Sequence, residues 1–249
     1  MKNISNKTAN DKLIFALDAN NYDEALSWVK LLSDHVGMFK VGKELFTAVG
    51  PKIIESIKKR GQKVFLDLKF HDIPNTVARA AQAAVRLNVD MFNVHASGGT
   101  QMIKEAVTAA WTCADNIAGT RPIVLAVTVL TSLNNADLAE IGFPRTTGEQ
   151  VLHLARLAQN AGASGVVASA QDIAALRKGL GDKFIIVTPG IRSIGATTKD
   201  DQKRTLSAYE AVKTGADYIV VGRPISTAQE PLEACRQIVQ EIADGIAAR

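Results

Sequence analysis

Eight short apolar runs recur along the chain, separated by longer amphipathic stretches. They are "LIFALD" from Leu13, "MFKVG" from Met38, "VFLDLK" from Val64, "MFNVHA" from Met91, "IVLAVTVL" from Ile123, "GVVAS" from Gly165, "FIIVTP" from Phe184 and "YIVVG" from Tyr218. Near-continuous apolar runs of this length suit strands of a parallel sheet with both faces covered. Between them, segments such as "IPNTVARAAQAAVRLN" and "GEQVLHLARLAQNAG" carry apolar residues at helical spacing. Gly61, Gly162 and Gly215 stand where such helices should stop.

Spread over 249 residues, eight strand-helix units take about 31 residues each, close to the roughly 250 residues of a (β/α)8 barrel. The predicted fold is therefore α/β, a single (β/α)8 TIM barrel over residues 13–249, preceded by a short, polar, flexible arm over residues 1–12. A doubly wound open sheet is the competing architecture, but no GxGxxG follows the first strand to support it. Two intervals are long. "TSLNNADLAEIGFP" after the fifth strand predicts a small extra helix, and "GIRSIGATTKDDQKR" after the seventh predicts a polar loop.

Composition narrows the classes of function. With 47% hydrophobic but only 5% aromatic residues, the core should be built from Val, Ile, Leu and Ala. No apolar run approaches the roughly 18 residues of a membrane span, and "MKNISNKTANDK" lacks the apolar middle of a signal peptide. A cytoplasmic protein with no membrane partner is expected. Cys113 and Cys235 have no CxxC spacing, which predicts two thiols in a reducing compartment rather than a disulfide or zinc site. The formal charge of +4 is mild, and the basic run Lys58-Lys59-Arg60 suits a helix end before Gly61. Nucleic acid is not an expected partner, whereas a phosphorylated small molecule is compatible.

Some residues attract attention without promising chemistry. His35, His71, His95 and His153 form no HxH or HExxH spacing, so no metal is expected. His71 and His95, near strand ends, are expected to orient neighbours through hydrogen bonds. Asp137, Glu140 and Glu149 read as solvated or capping residues, and Trp28 and Trp111 as packing groups.

Active sites of such barrels lie at the C-terminal ends of the strands. Those ends carry Asp18, Lys40, Asp67 with Lys69, Thr131, Pro189 with Arg192, and Gly222 with Arg223. Asp67 and Lys69 are two apart and should face one side of a strand. Lys40 joins them if the second and third strands are neighbours. Unit charges about 4 Å apart interact by roughly 4 kcal/mol at an effective dielectric near 20, enough to hold such an array in place. It would present a preorganised ammonium to a developing carbanion. A structural salt-bridge network at the barrel rim is the alternative reading of an Asp-x-Lys pair, and spacing alone names no reaction. In "VGRPI", Gly222 permits close backbone approach, Pro224 can open a helix whose N-terminus favours an anion, and Arg223 can bind phosphate.

"FLDLKFHDIPNT", "NVHASGG", "VTVLTS", "VTPGIR", "DQKR" and "VGRPI" occur in this order. Together they resemble the orotidine 5′-phosphate decarboxylase family of the bacterial type, from about Leu13 to Pro231. The resemblance implies conversion of orotidine 5′-phosphate to uridine 5′-phosphate and carbon dioxide, the last step of pyrimidine nucleotide synthesis, with no cofactor. It implies a catalytic set of Lys69, Asp67, Asp72 and Lys40, with Lys69 as proton donor and Asp67 beside the departing carboxylate. Lys40 and Asp18 would hold the ribose hydroxyls. Thr131 and Ser132 would meet the pyrimidine edge, and Pro189 would line the base pocket. Arg192, Gln202, Gly222 and Arg223 would hold the phosphate, with the loop around Gln202 acting as a lid. Asp72, Ile73 and Thr76 would reach into a neighbouring site, which implies a homodimer.

Two rivals stand beside this expectation. One is a metal-dependent sugar-phosphate aldolase, decarboxylase or epimerase sharing the Asp-x-Lys-x-x-Asp core, against which "HDIPNT" and "LTS" argue. The other is a nucleotide-binding regulator without catalysis, against which the intact charge array argues.

Overall fold

The computed structural model describes residues 8–191 and 206–249. Eight strands are present: β1 (Leu13–Ala16), β2 (Met38–Gly42), β3 (Val64–Phe70), β4 (Met91–His95), β5 (Ile123–Val127), β6 (Gly165–Val167), β7 (Ile185–Thr188) and β8 (Tyr218–Val221). They pair in chain order, all parallel, into a closed barrel. β8 returns to β1 with Leu13 opposite Ile219 and Ile14 opposite Val220, which removes the open-sheet alternative. Every predicted run yields a strand, and only the seventh starts one residue later than expected, at Ile185.

Strand alternation explains why the runs are apolar almost throughout. One set of side chains points into the barrel and the other toward the helices. Ile14, Ala16, Met38, Phe65, Met91, Leu125, Ile185, Val187, Tyr218 and Val220 form the inner cluster. Leu13, Phe15, Phe39, Val41, Leu66 and Phe92 belong to the larger cluster beneath the helices. On β6, a Cβ at Gly165 would collide with the carbonyl and side chain of Ile185, so only glycine fits that crossing.

Helix boundaries follow local chemistry. Thr146 and Ser207 cap helices Thr147–Asn160 and Ala208–Thr214 through reciprocal bonds with Glu149 and Glu210. The extra helix expected after β5 is Asn135–Glu140, capped by Asn134 and Asp137. Trp28 packs against Phe15, and the Trp111 indole donates to the Pro122 carbonyl. Cys113 and Cys235 are buried and free. No helix among the described residues is long and apolar enough to cross a membrane.

Of the arm expected over residues 1–12, residues 1–7 lie outside the described residues, and Thr8 caps a short helix, Ala9–Lys12. This helix presses on Gly37, where a Cβ would lie 2.6 Å from Asp11 Cα. Lys12 is buried, and its Nζ donates to the Asp217 carbonyl at 3.3 Å. Burial lowers the Lys12 pKa, with the Asp217 carboxylate opposing that shift.

Asp217 anchors the N-terminal face. Its Oδ2 accepts from the Ile186 N–H at 2.8 Å and from Arg177 at 2.5 Å. Arg177 also donates to the Gly215, Gly181 and Phe184 carbonyls. Removing one partner of a buried pair strands the other. Arg177→Met should therefore cost about 3–5 kcal/mol of stability, read from its urea unfolding midpoint. A loss below about 1 kcal/mol would class the pair with weak, solvent-screened ones.

Candidate active site

The inner alternation that fills the barrel with apolar side chains reaches charged residues at its C-terminal mouth. Two positions beyond Ala16, Met38 and Phe65 on the same side stand Asp18, Lys40 and Asp67. Strand register sets Lys40 opposite Ala16 and Gly42 opposite Asp67. Lys40 Nζ lies 3.5 Å from Asp18 Oδ1 and 3.3 Å from Asp67 Oδ2, and Lys69 Nζ lies 2.7 Å from Asp67 Oδ1. Side-chain exposure falls from 60% at Asp18 to 12% at Lys40 and 13% at Asp67, so water screens the inner pairs least. A Cβ at Gly42 would lie 3.2 Å from Lys40 Nζ, so glycine leaves room for that ammonium.

Opposing influences set the ionisation of Asp67. Burial is the largest and pushes its pKa up. The Lys40 and Lys69 charges, with hydrogen bonds from Lys69 and Asn93, together outweigh it and hold the carboxyl below the usual aspartate range.

Simple alternation predicts that Asp67 and Lys69 share one side. They do meet, but by a different route. Between Leu66 and Phe70 the strand advances four residues while β4 advances two, from Phe92 to Val94. Within this bulge Lys69 has a left-handed backbone, φ 54°. Its N–H donates to Asn93 Oδ1 at 2.8 Å, and Asn93 Nδ2 donates to Asp67 Oδ1 at 2.7 Å. Asn93 is not among the residues expected from sequence. Its signal there is a polar amide in the middle of the run "MFNVHA", in phase with inward-facing Met91.

The other expected residues distribute as follows. Asp72 is exposed, and its Oδ1 accepts from the Ile73 N–H at 2.6 Å. Among the described residues it forms no ion pair, so Asp67 and Lys69 are without it in the single chain. Ile73 is 65% exposed, and Thr76 is exposed in the first turn of helix Pro74–Arg86. Thr131 and Ser132 form the turn after β5, and half-buried Pro189 follows β7 directly. At the end of β8, a Cβ on Gly222 would lie 3.1 Å from Ala16 Cβ and 3.3 Å from Asp18 Oδ2. Glycine thus brings the backbone before Arg223 against the charged mouth. Arg223 opens helix Arg223–Ser226. Arg192, Gln202 and most of the expected lid lie outside the described residues.

The rings of His71 and His95 meet at a tilt, with centroids 5.4 Å apart. Among the described residues no hydrogen bond joins either side chain to a neighbour, contrary to expectation. Their rings meet each other instead. Burial, then the His71, Lys43 and Lys69 charges, push the His95 pKa down to about 4. Among the described residues no three His, Cys, Asp or Glu side chains converge as metal ligands would.

A closed parallel barrel with alternating charges at its C-terminal mouth has the architecture of a (β/α)8 enzyme, whose active site lies at that end. The chain matches the family described as "Orotidine 5′-phosphate decarboxylase / HUMPS family" over residues 11–238, and it belongs to that family. A protein of Syntrophus aciditrophicus named orotidine 5′-phosphate decarboxylase is 57% identical over 249 residues, covering 100% of this chain and 99% of the relative. A relative of the same name from Geotalea daltonii is 51% identical, covering 95% and 98%. Among solved structures, orotidine 5′-phosphate decarboxylase from Lactobacillus acidophilus superposes with a TM-score of 0.80 at 38% identity, covering 92% of this chain and 98% of the other.

The neutral His95 has a consequence for stability. Its folded pKa of about 4 lies below the ordinary value of 6.5, so the unfolded chain takes up the proton first as pH falls. The stability it contributes is complete above pH 6.5 and is lost as pH falls toward 4. His95→Gln should flatten the pH dependence of the denaturation midpoint across that window. Parallel curves for variant and wild type would contradict a half-buried, neutral imidazole.

Proposed function

We propose that this protein decarboxylates orotidine 5′-phosphate to uridine 5′-phosphate, the closing step of pyrimidine nucleotide synthesis, using its own side chains and no cofactor. The observation that carries the reading is the Asp67 carboxylate held between two ammonium groups. The names of relatives 49–57% identical along nearly the whole chain support this substrate.

In this reading the substrate carboxylate lies beside Asp67 and its ring carbon faces Lys69. As the carbon–carbon bond breaks, carbon dioxide leaves and the electron pair remains on the ring carbon. The Lys69 ammonium stabilises that pair and then transfers a proton to it, becoming neutral. A donor already fixed 2.7 Å from Asp67 needs little reorganisation as the charge develops. Lys40 has three protons for two carboxylates and can give the third to a ribose hydroxyl, while exposed Asp18 can accept from another.

Thr131 and Ser132 serve the pyrimidine edge, and Pro189 the face of the base. Gly222 and Arg223 serve the phosphate, together with Arg192 and Gln202 from the segment outside the described residues. Phosphate binding far from the reacting carbon can close a lid over the site, so that binding energy supports the chemical step. A homodimer belongs to the same proposal. A second copy would cover the exposed Ile73 and bring Asp72 to its neighbour's Lys69, with Thr76 beside it. The cytoplasm is the expected compartment, in keeping with two buried free thiols.

The metal-dependent sugar-phosphate rival has less support. Asp67 Oδ1 already accepts from Lys69 and Asn93, and Oδ2 faces Lys40, so a cation there would have to displace an ammonium.

Ultraviolet absorbance of orotidine 5′-phosphate mixed with chelator-treated protein tests the proposal. Wild type should turn over undiminished. Lys69→Ala should lose at least about 10³-fold in kcat, with uridine 5′-phosphate affinity within about tenfold of wild type. Normal carbon dioxide release by the variant would remove Lys69 from the reaction, and loss of wild-type activity on chelation would favour the metal-dependent rival.

A further inference from the structure

We infer that Asn93 is the positioning residue of the charge array, fixing the backbone that carries Lys69 and the carboxylate that Lys69 pairs with; this rests on the decarboxylase reading above. Asn93 is 1% exposed and points from β4 into the barrel, in phase with Met91. A buried amide needs partners at both ends, and both are residues of the reacting segment. Its Oδ1 accepts the Lys69 N–H at 2.8 Å, and its Nδ2 donates to Asp67 Oδ1 at 2.7 Å.

Only one orientation of the side chain works. A flipped amide would set NH2 against N–H and a carbonyl against a carboxylate, repulsive at both ends. The same logic excludes other side chains. Ionised aspartate has no donor for Asp67, leucine has neither group, and alanine leaves both partners unmet.

The demand for this bond comes from the β3 bulge. Where register is lost between Leu66 and Phe70, the Lys69 N–H receives its acceptor from a side chain, Asn93 Oδ1. Lys69 holds φ 54°, a conformation that persists only where the surroundings over-determine it. Asn93 supplies that constraint, and through Nδ2 it ties the constraint to Asp67. Ammonium, carboxylate and strained backbone therefore form one rigid unit across two strands.

Asn93 also bears on ionisation. The groups facing Asp67 are Lys40 from β2, Lys69 from its own strand and Asn93 from β4. Asp18 acts through Lys40, and His95 on β4 is the other titratable neighbour. A hydrogen bond to the carboxylate favours its charged form. Losing the amide should let Asp67 take a proton at higher pH, moving the acid limb of the rate profile toward neutrality.

The test is steady-state decarboxylation of orotidine 5′-phosphate across pH by wild type, Asn93→Ala and Asn93→Asp, with uridine 5′-phosphate binding as the check on folding. Asn93→Asp keeps the side chain's shape and carries the test if the alanine variant does not fold. Both variants should lose at least about 10²-fold in kcat at neutral pH, keep KM within about threefold, and show the acid limb displaced upward. Folded variants with kcat near wild type and an unmoved profile would overturn the inference while leaving the decarboxylase reading intact. An inactive wild type would remove that reading, and this inference with it.

Discussion

A single carboxylate, Asp67, organises the barrel mouth. Lys40 approaches one oxygen while Lys69 and Asn93 share the other. Without these donors its burial would push it toward the neutral acid. With them it stays charged and becomes the fixed point from which both ammonium groups are hung. Barrel closure makes this possible: neighbouring strands bring inward-facing residues of β2, β3 and β4 together at the mouth, with Lys40 one inward step below Gly42, the residue opposite Asp67. Beneath that level the interior is apolar, so the charges interact in a medium less screening than water.

Local regularity is broken at this place. A regular β3 would hold Lys69 in the ladder with β4, but the bulge gives it a left-handed backbone and a side-chain partner instead. Departures from local rules concentrate where function needs them, and surrounding structure must compensate. Here a buried amide compensates. The opposite face of the barrel follows another logic. Lys12, Arg177 and Asp217 join carbonyls and charges into a network that closes the N-terminal end, opposite the charged mouth.

Much of this is legible from sequence because the strands are short, apolar and evenly spaced. Their starts can be read directly, and with them the strand ends that carry Asp18, Lys40 and Asp67. Alternation pairs Asp67 with Lys69 for an insufficient reason, since period-two alternation does not describe a bulge. The role of Asn93 is not legible in the sequence, because a polar residue in an apolar run shows no partner until the neighbouring strand is placed. Arg177 and Asp217 are 40 positions apart, and Lys12 and Asp217 are 205 apart, so no local pattern joins them. The polar "NDK" reads as the end of an arm, yet Ala9–Lys12 forms a helix and Lys12 is buried against its distant partner.

Asp67 is ionised because two ammonium groups and an amide hold it so. Carbon-13 NMR of the aspartate carboxyl groups, followed through acid titration in wild type and in Lys69→Ala, addresses it directly. Asp67 should titrate below the ordinary aspartate value of 3.8 in wild type and move upward when the Lys69 ammonium is gone. An Asp67 that takes its proton at or above the ordinary value in wild type, or that is indifferent to Lys69, would contradict the account.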